Sequence, residues 1–161
     1  MGRSASQSPK PDRGLLDSLR MISVNRKRVV VVDDLAPILG EVSAMLRESF
    51  EVVGMFSDGA AALDGVLKLE PDLVVLDVSM PGMSGIEVAE ELTRRANKAR
   101  VVFLTVHEDV EILKTCQAAG GVGYVIKLRM NTDLLPAMIE ALAGHRFTSR
   151  FQSQQRGQQA E

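Results

Sequence analysis

The chain has 161 residues, of which 45% are hydrophobic and 25% are charged, a composition that supports a globular domain with a sizeable core. The net charge is −2, and from Val29 onward the chain carries twelve basic and nineteen acidic residues, which argues against a general nucleic-acid-binding surface. No apolar run is long enough to cross a membrane, and the single cysteine, Cys116, excludes an internal disulfide.

The two ends of the chain differ in composition from its middle. Residues 1–26 are rich in Ser, Pro, Gly and basic side chains, and the sequence predicts a flexible basic tail there. Residues 149–161 are mostly polar and are predicted to form a polar C-terminal tail. The N-terminus lacks the apolar segment of a secretory signal, and a lone cysteine suits a reducing compartment. We therefore expect one folded domain at residues 27–148, in the cytoplasm.

The first predicted element is a buried strand at residues 29–32, which are four consecutive valines. A helix follows from Pro37, a residue that suits a first helical turn, and apolar side chains recur after it at helical spacing. A second strand is predicted at residues 52–56, and Ser57 or Asp58 can cap the helix after it. The domain thus begins with two strand–helix units.

The third predicted strand covers residues 73–76 and is followed by the loop SMPGMSGIE. In that loop Ser84 and Glu87 have the spacing of a capping box, which indicates the start of a third helix. A fourth strand is predicted at residues 101–104, and Asp109 can cap the fourth helix.

The last predicted strand covers residues 124–126. The final helix is predicted to start near Thr132 or Asp133, so that Pro136 falls in its first turn, and to stop at Gly144. Five strands that alternate with five helices indicate an α/β fold with a doubly wound parallel sheet and helices on both faces.

Polar side chains directly follow four of the apolar strands. They are Asp33, Asp34, Asp77, Thr105 and Lys127. In an open α/β sheet the carboxyl ends of neighbouring strands line one ligand-binding crevice, so we expect these side chains to converge. Three carboxylates in one crevice would repel one another without a cation, and Mg²⁺ prefers such oxygen ligands. The sequence therefore predicts a magnesium site.

Four segments stand in order at the ends of predicted strands: VVDD, LDVSMPGMSG, FLT and GYVIK. Together they resemble the response-regulator receiver domains of two-component signalling. The resemblance covers residues 28–148 and implies a flavodoxin-like five-stranded sheet with strand order 2-1-3-4-5. Two departures concern the loops at the site. Leu128 stands where the family commonly has proline, and Val106 is bulkier than the alanine that is frequent there.

The resemblance implies a role for the carboxylates at the strand ends. Asp77 would be the phosphoacceptor, a nucleophile that forms an acyl phosphate. Asp34 and Asp77 would hold Mg²⁺ directly, and Asp33 would hold it through water. The main-chain carbonyl of Ser79 would complete the protein's ligands. Such a site would position and neutralise the phosphoryl group, which is most of what its transfer requires.

The resemblance also implies a switch and a pair of residues that set the lifetime of the phosphorylated state. Lys127 and Thr105 would each contact a phosphoryl oxygen, and Tyr124 would be the switch aromatic that rotates into the space beside the fourth strand. Ser79 and His107 would border the path of the water that hydrolyses the acyl phosphate. Because Ser79 has no carboxamide to orient that water and His107 is bulky, slow hydrolysis is expected.

These expectations describe a signalling phosphoacceptor of a two-component phosphorelay, with self-catalysed phosphorylation and dephosphorylation, and not an enzyme that turns over a substrate. Its predicted partners are a histidine kinase or phosphotransfer protein and a downstream protein partner. A homodimer is one further arrangement, and neither membrane binding nor direct nucleic-acid binding by this chain is expected.

Two alternatives remain open. The stretch from Gly123 is similar to receivers of the nitrate-regulator subfamily, which precede a helix-turn-helix domain, although only ten residues follow Phe151 here. The chain would then be a receiver fragment of a DNA-binding transcriptional response regulator. The other alternative is an aspartate-nucleophile phosphatase. Those enzymes have Asp-x-Asp after the first strand, whereas this chain has Asp33-Asp34-Leu35.

Overall fold

The computed structural model describes residues 13–14 and 26–152. The predicted basic tail, residues 1–26, lies almost wholly outside the described residues, and so do residues 153–161 of the predicted polar tail. Within the described residues, no helix combines the length and the apolar character that crossing a membrane requires.

From residue 26 to residue 152 the chain alternates strands and helices. The strands are β1 Arg28–Val32, β2 Glu51–Phe56, β3 Leu73–Asp77, β4 Arg100–Thr105, β5 Gly121–Ile126 and β6 Phe147–Thr148. The α-helices are α1 Ala36–Leu46, α2 Gly59–Leu69, α3 Gly85–Arg94, α4 Val110–Ala118 and α5 Met130–Leu142. A 3-10 turn at Lys127–Arg129 connects β5 to α5.

All strands are parallel neighbours in one sheet, in the order β2-β1-β3-β4-β5-β6. The predicted α/β fold and the order 2-1-3-4-5 are therefore confirmed. The sixth strand was not predicted, because two residues, Phe147 and Thr148, are too short to show any periodic pattern. It lies on the outer edge of β5.

The apolar core lies on both faces of the sheet, which is why the central strands are continuous apolar runs. Along β1, Val30 and Val32 face one apolar layer, whereas Val29 and Val31 face the other. The first layer is completed by α2, α3 and α4, and it includes Cys116, which is buried as a small core residue. The second layer is completed by α1 and α5. Two-sided packing of this kind holds the carboxyl ends of the strands in a fixed arrangement.

Three helices begin at the caps that the sequence indicates. Asp58, and not Ser57, caps α2, since its carboxylate accepts a hydrogen bond from the Ala61 backbone N–H at 2.8 Å. Ser84 and Glu87 form the predicted capping box at the start of α3. Asp109 caps α4. Each cap satisfies backbone N–H groups that have no partner within the helix.

Two element boundaries differ from the prediction by two residues or more. Helix α5 begins at Met130, before the predicted start at Thr132 or Asp133, because the 3-10 turn leads directly into it. Pro136 therefore lies inside the helix and not in its first turn. At this position the proline removes one backbone hydrogen bond. Strand β5 begins at Gly121, three residues before the predicted start, and a side chain at this position would collide with Phe103 on β4. Glycine is a weak strand signal, so the sequence pattern missed this extension.

The packed part of the chain also extends past residue 148, where the polar tail was predicted to begin. Ser149 and Phe151 are each only 3% exposed. The sequence pattern did not indicate this, because the two buried residues alternate with exposed polar ones over too short a stretch.

Candidate functional site

The predicted site residues lie together at the carboxyl edge of the sheet. Asp33 follows β1, Asp77 is the last residue of β3, Thr105 is the last residue of β4, and Lys127 follows β5. Because these four strands are adjacent and parallel, their ends meet at one place. The register supports this arrangement, since Asp77 pairs with Leu104 directly before Thr105.

Three carboxylates form an acidic cluster at this edge. Asp33, Asp34 and Asp77 each have an oxygen within 4.8 Å of the others. Asp33 and Asp77 are buried, and Asp34 is half-buried. One oxygen of Asp33 accepts a hydrogen bond from the Leu35 backbone N–H at 2.9 Å. This turn explains why the acidic pair stands directly after the strand.

Lys127 supplies the positive charge next to the cluster. Its Nζ atom lies 2.7 Å from Asp33 Oδ2 and 3.4 Å from Asp77 Oδ2. The ion pair at 2.7 Å is the contact that the buried Oδ2 of Asp33 makes within the described part of the chain. A single ammonium group balances one of three carboxylates, and the cluster keeps an excess of negative charge.

The pKa of Asp77 is raised from 3.8 to about 6. Burial is the main cause, and the neighbouring charge of Asp33 adds to it, whereas Lys127 and the Ser79 backbone N–H oppose it. Asp77 is therefore still mostly ionised at neutral pH and can act as a nucleophile, but its charge is poorly stabilised. An additional cation would relieve this cost.

The donor set fits Mg²⁺. It consists of carboxylate oxygens from three residues, which all lie within 4.8 Å of one another. Mg²⁺ takes oxygen ligands, needs only one or two carboxylates, and keeps several waters. Asp33, Asp34 and Asp77 are the residues that could hold it.

Thr105 and Tyr124 are both buried, and both contact His107 in the loop between β4 and α4, residues 106–109. The His107 backbone N–H donates to Thr105 Oγ1 at 3.2 Å. The Tyr124 hydroxyl donates to the His107 carbonyl at 2.7 Å, and the Tyr124 side chain is only 2% exposed. The aromatic ring thus points inward, beside the fourth strand.

Ser79 and His107 meet across the mouth of the site. Ser79 Oγ lies 2.9 Å from His107 Nε2, within hydrogen-bond distance, and connects the loop after β3 to the loop after β4. Ser79 is exposed, and His107 is half-buried. Val106 and Leu128, the two departures from the family pattern, are 65% and 83% exposed, and the described chain contains no cis peptide bond.

Sequence reasoning missed one group of residues near the site. Ser149 Oγ donates to Asp133 Oδ2 at 2.6 Å and accepts from the Ile126 backbone N–H at 3.1 Å, directly before Lys127. Phe151 packs against Tyr124, with ring centroids 5.9 Å apart. No sequence signal indicates these contacts, since they join residues that only the β5–β6 pairing brings together.

The chain is similar to known proteins over most of its described length. Residues 29–155 match the response regulator receiver domain family. The uncharacterized transcriptional regulatory protein YvfU of Bacillus subtilis is 33% identical over 124 residues, which are 76% of this chain and 62% of that protein. The nitrate/nitrite response regulator protein NarL of Escherichia coli is 37% identical over 93 residues, which are 58% of this chain and 43% of that protein.

A solved structure has the same fold. It is the isolated REC domain of RcsB from Salmonella enterica serovar Typhimurium in the presence of phosphomimetic BeF3−, with a TM-score of 0.72 and 27% identity. The match covers 78% of this chain and 95% of that chain. In contrast, this chain spans less than two thirds of the length of the two curated relatives.

Proposed function

We propose that this chain, which belongs to the response regulator receiver domain family, takes a phosphoryl group onto Asp77. The donor is a histidine kinase or a phosphotransfer protein. The observation that carries this proposal is the buried carboxylate of Asp77 beside Asp33, Asp34 and Lys127. The acyl phosphate forms when a carboxylate oxygen of Asp77 attacks the phosphorus and the bond to the donor breaks.

The remaining residues position the phosphoryl group and balance its charge. Asp33, Asp34 and Asp77, with the Ser79 carbonyl, would hold Mg²⁺, which when bound supplies positive charge for the carboxylates and the phosphoryl oxygens. Lys127 already lies 3.4 Å from Asp77 and can donate to a phosphoryl oxygen. These are positioning and electrostatic roles, and they suit a protein that catalyses the transfer of a phosphoryl group from a donor onto its own Asp77 and its later hydrolysis.

The switch would pass from Asp77 to the surface through Thr105 and Tyr124. Thr105 can donate its hydroxyl to a phosphoryl oxygen. Its Oγ1 atom also accepts from the His107 backbone, and Tyr124 donates to the same residue. A shift of Thr105 would therefore move the loop that Tyr124 holds. This supports a phosphorylation-dependent contact with a downstream protein. A homodimer, in which a second copy of the chain is that partner, is one form of such a contact.

A second candidate function is the receiver part of a transcriptional regulator. It is favoured by YvfU, which is named a transcriptional regulatory protein, and by the partial coverage of YvfU and NarL, of which this chain spans only 62% and 43%. The acidic receiver itself would still not be the DNA-binding part, and a cytoplasmic location fits both candidates. Sequencing the native reading frame beyond residue 161 distinguishes them.

Intact-mass measurement tests the main proposal. The chain is incubated with acetyl phosphate and Mg²⁺, and the mass should rise by one phosphoryl group. Asp77→Asn should show no increase, whereas Asp64→Asn, which changes an exposed carboxylate on α2, should be labelled like the parent. Full labelling of Asp77→Asn would contradict the assignment.

A further inference from the structure

The C-terminal segment, defined here as residues 147–152, lies along the outer edge of β5. Its strand β6 pairs in parallel with Gly123 and Tyr124. The Ser149 backbone N–H then donates to the Tyr124 carbonyl at 2.9 Å. The segment therefore satisfies backbone groups that an edge strand would otherwise leave to solvent.

Ser149 fixes the segment to the turn that carries Lys127. Its hydroxyl accepts from the Ile126 backbone N–H and donates to Asp133 on α5. Both Ser149 and Asp133 are buried, and Asp133 also forms an ion pair with Arg129 at 3.1 Å. A hydrogen bond to a charged carboxylate is stronger than one between neutral groups, so this anchor is a strong one.

Phe151 and Gln152 connect the other end of the segment to the β4–α4 loop. The Phe151 side chain is buried against the ring of Tyr124. The Gln152 backbone N–H donates to Glu108 Oε1 at 3.2 Å, next to His107. The segment thus contacts the switch aromatic and the loop that the aromatic holds.

A continuous set of contacts joins this segment to the phosphorylation site. Phe151 packs on Tyr124, Tyr124 donates to His107, and His107 meets Ser79, two residues after Asp77. We infer that Ser149 and Phe151 are positioning residues for phosphorylation, which hold Tyr124 inward and the β4–α4 loop in the arrangement that receives the phosphoryl group. The inference rests on the proposed function.

Thermodynamic linkage makes this inference testable. If the segment stabilises the arrangement that binds the phosphoryl group, then occupancy of the site must stabilise the segment by the same free energy. A segment that only covers the sheet edge would support folding but would leave the affinity of the site unchanged.

The test is a titration of the full chain with beryllofluoride, a phosphoryl mimic, in the presence of Mg²⁺. Tyr124 is the only tyrosine and the chain has no tryptophan, so its intrinsic fluorescence reports on the switch position directly. Phe151→Ala should weaken the apparent affinity by about fivefold or more. Phe151→Leu should recover part of it. Arg150→Ala, which changes an exposed neighbour in the same segment, should keep the parental affinity.

Hydrogen exchange provides a second readout, and Ser149→Ala provides a second variant if Phe151→Ala does not fold. In the parent, beryllofluoride should slow exchange of the Ser149 and Ile126 amides. Parental affinity in a folded Phe151→Ala or Ser149→Ala variant, or unchanged exchange of these amides on binding, would overturn the inference alone. A parent chain that does not bind beryllofluoride would overturn the proposed function and the inference with it.

Discussion

Ser79 Oγ and His107 Nε2 lie 2.9 Å apart and connect the loops after β3 and β4 at the mouth of the acidic site. We propose that the contact covers one side of the approach to Asp77, where water would attack an acyl phosphate. It therefore leads to a prediction about the lifetime of the phosphorylated state.

Phosphorylated Asp77 should last for minutes or longer, and His107→Ala should shorten its lifetime. Loss of one hydrogen bond worth about 1 kcal/mol corresponds to about fivefold faster decay. Ser79→Asn should also speed decay, because its carboxamide can orient a water. The measurement follows the intact mass in Mg²⁺ after removal of the phosphoryl donor.

The matched control is His145→Ala, since His145 is the other histidine of the chain and is exposed after α5. It should decay at the parental rate. If the phosphorylated parent decays within seconds, and if neither Ser79→Asn nor His107→Ala speeds the decay, then these two positions do not set the lifetime.

Asp77 should make stability depend on pH in a defined window. Its pKa is raised to about 6 by burial first and by Asp33 second, so the folded state binds its proton more tightly than the unfolded state. The stability that Asp77 contributes should therefore fall as pH rises from about 4 to about 6. Asp77→Asn should be more stable than the parent by about 1–2 kcal/mol at pH 7, and by less at pH 4.

Urea unfolding in EDTA at pH 4, 5, 6 and 7 measures this difference. Asp64→Asn, on the exposed face of α2, serves as the carboxylate control and should follow the parental profile. A constant difference between parent and Asp77→Asn across the four pH values would be inconsistent with the raised pKa.

Mg²⁺ should stabilise the folded chain through the acidic cluster. Few protein ligands and retained waters imply a dissociation constant in the millimolar to submillimolar range. At a Mg²⁺ concentration of ten times the dissociation constant, the gain should be about 1.4 kcal/mol. Thermal unfolding with and without Mg²⁺ measures it. Asp34→Ala should lose most of the gain, and equal stabilisation of that variant would place the ion elsewhere.

Two leucine-sized residues on α5 should differ sharply in their contribution to stability. Leu134 is fully buried against the sheet, whereas Ile139 is 48% exposed on the same helix. Leu134→Ala should cost about 2–5 kcal/mol through the cavity that it leaves. Ile139→Ala should cost much less, and urea unfolding compares the two. Similar losses would mean that α5 does not pack on the sheet as described.

The fold and the acidic edge of the sheet were predictable because strong local signals coincide there. The valines of β1 demand burial on both faces, and the polar residues directly after each strand fall at one edge once the strands are parallel and adjacent. The capping box of Ser84 and Glu87 is equally local. Each of these signals lies within a few residues of the chain.

The contacts of the C-terminal segment could not be predicted in the same way. Ser149 bonds to Asp133, 16 residues away, and Phe151 packs on Tyr124, which is further still. Neither residue belongs to a periodic pattern, so only the assembled sheet shows why they are buried. The glycines at the start of β5 hid that strand for a related reason, since a side chain at Gly121 would collide with Phe103 and one at Gly123 would collide with Val102.

The pairing of β6 with β5 has a consequence for self-association. Strand β5 reads GVGYVI, a six-residue stretch without charge or proline, and the open edge of such a strand can pair with a strand of another chain. Two residues of β6 and the turn after them cover its open backbone. Chains cut before Phe147 would present this edge to one another, so we expect them to self-associate more readily than the parent.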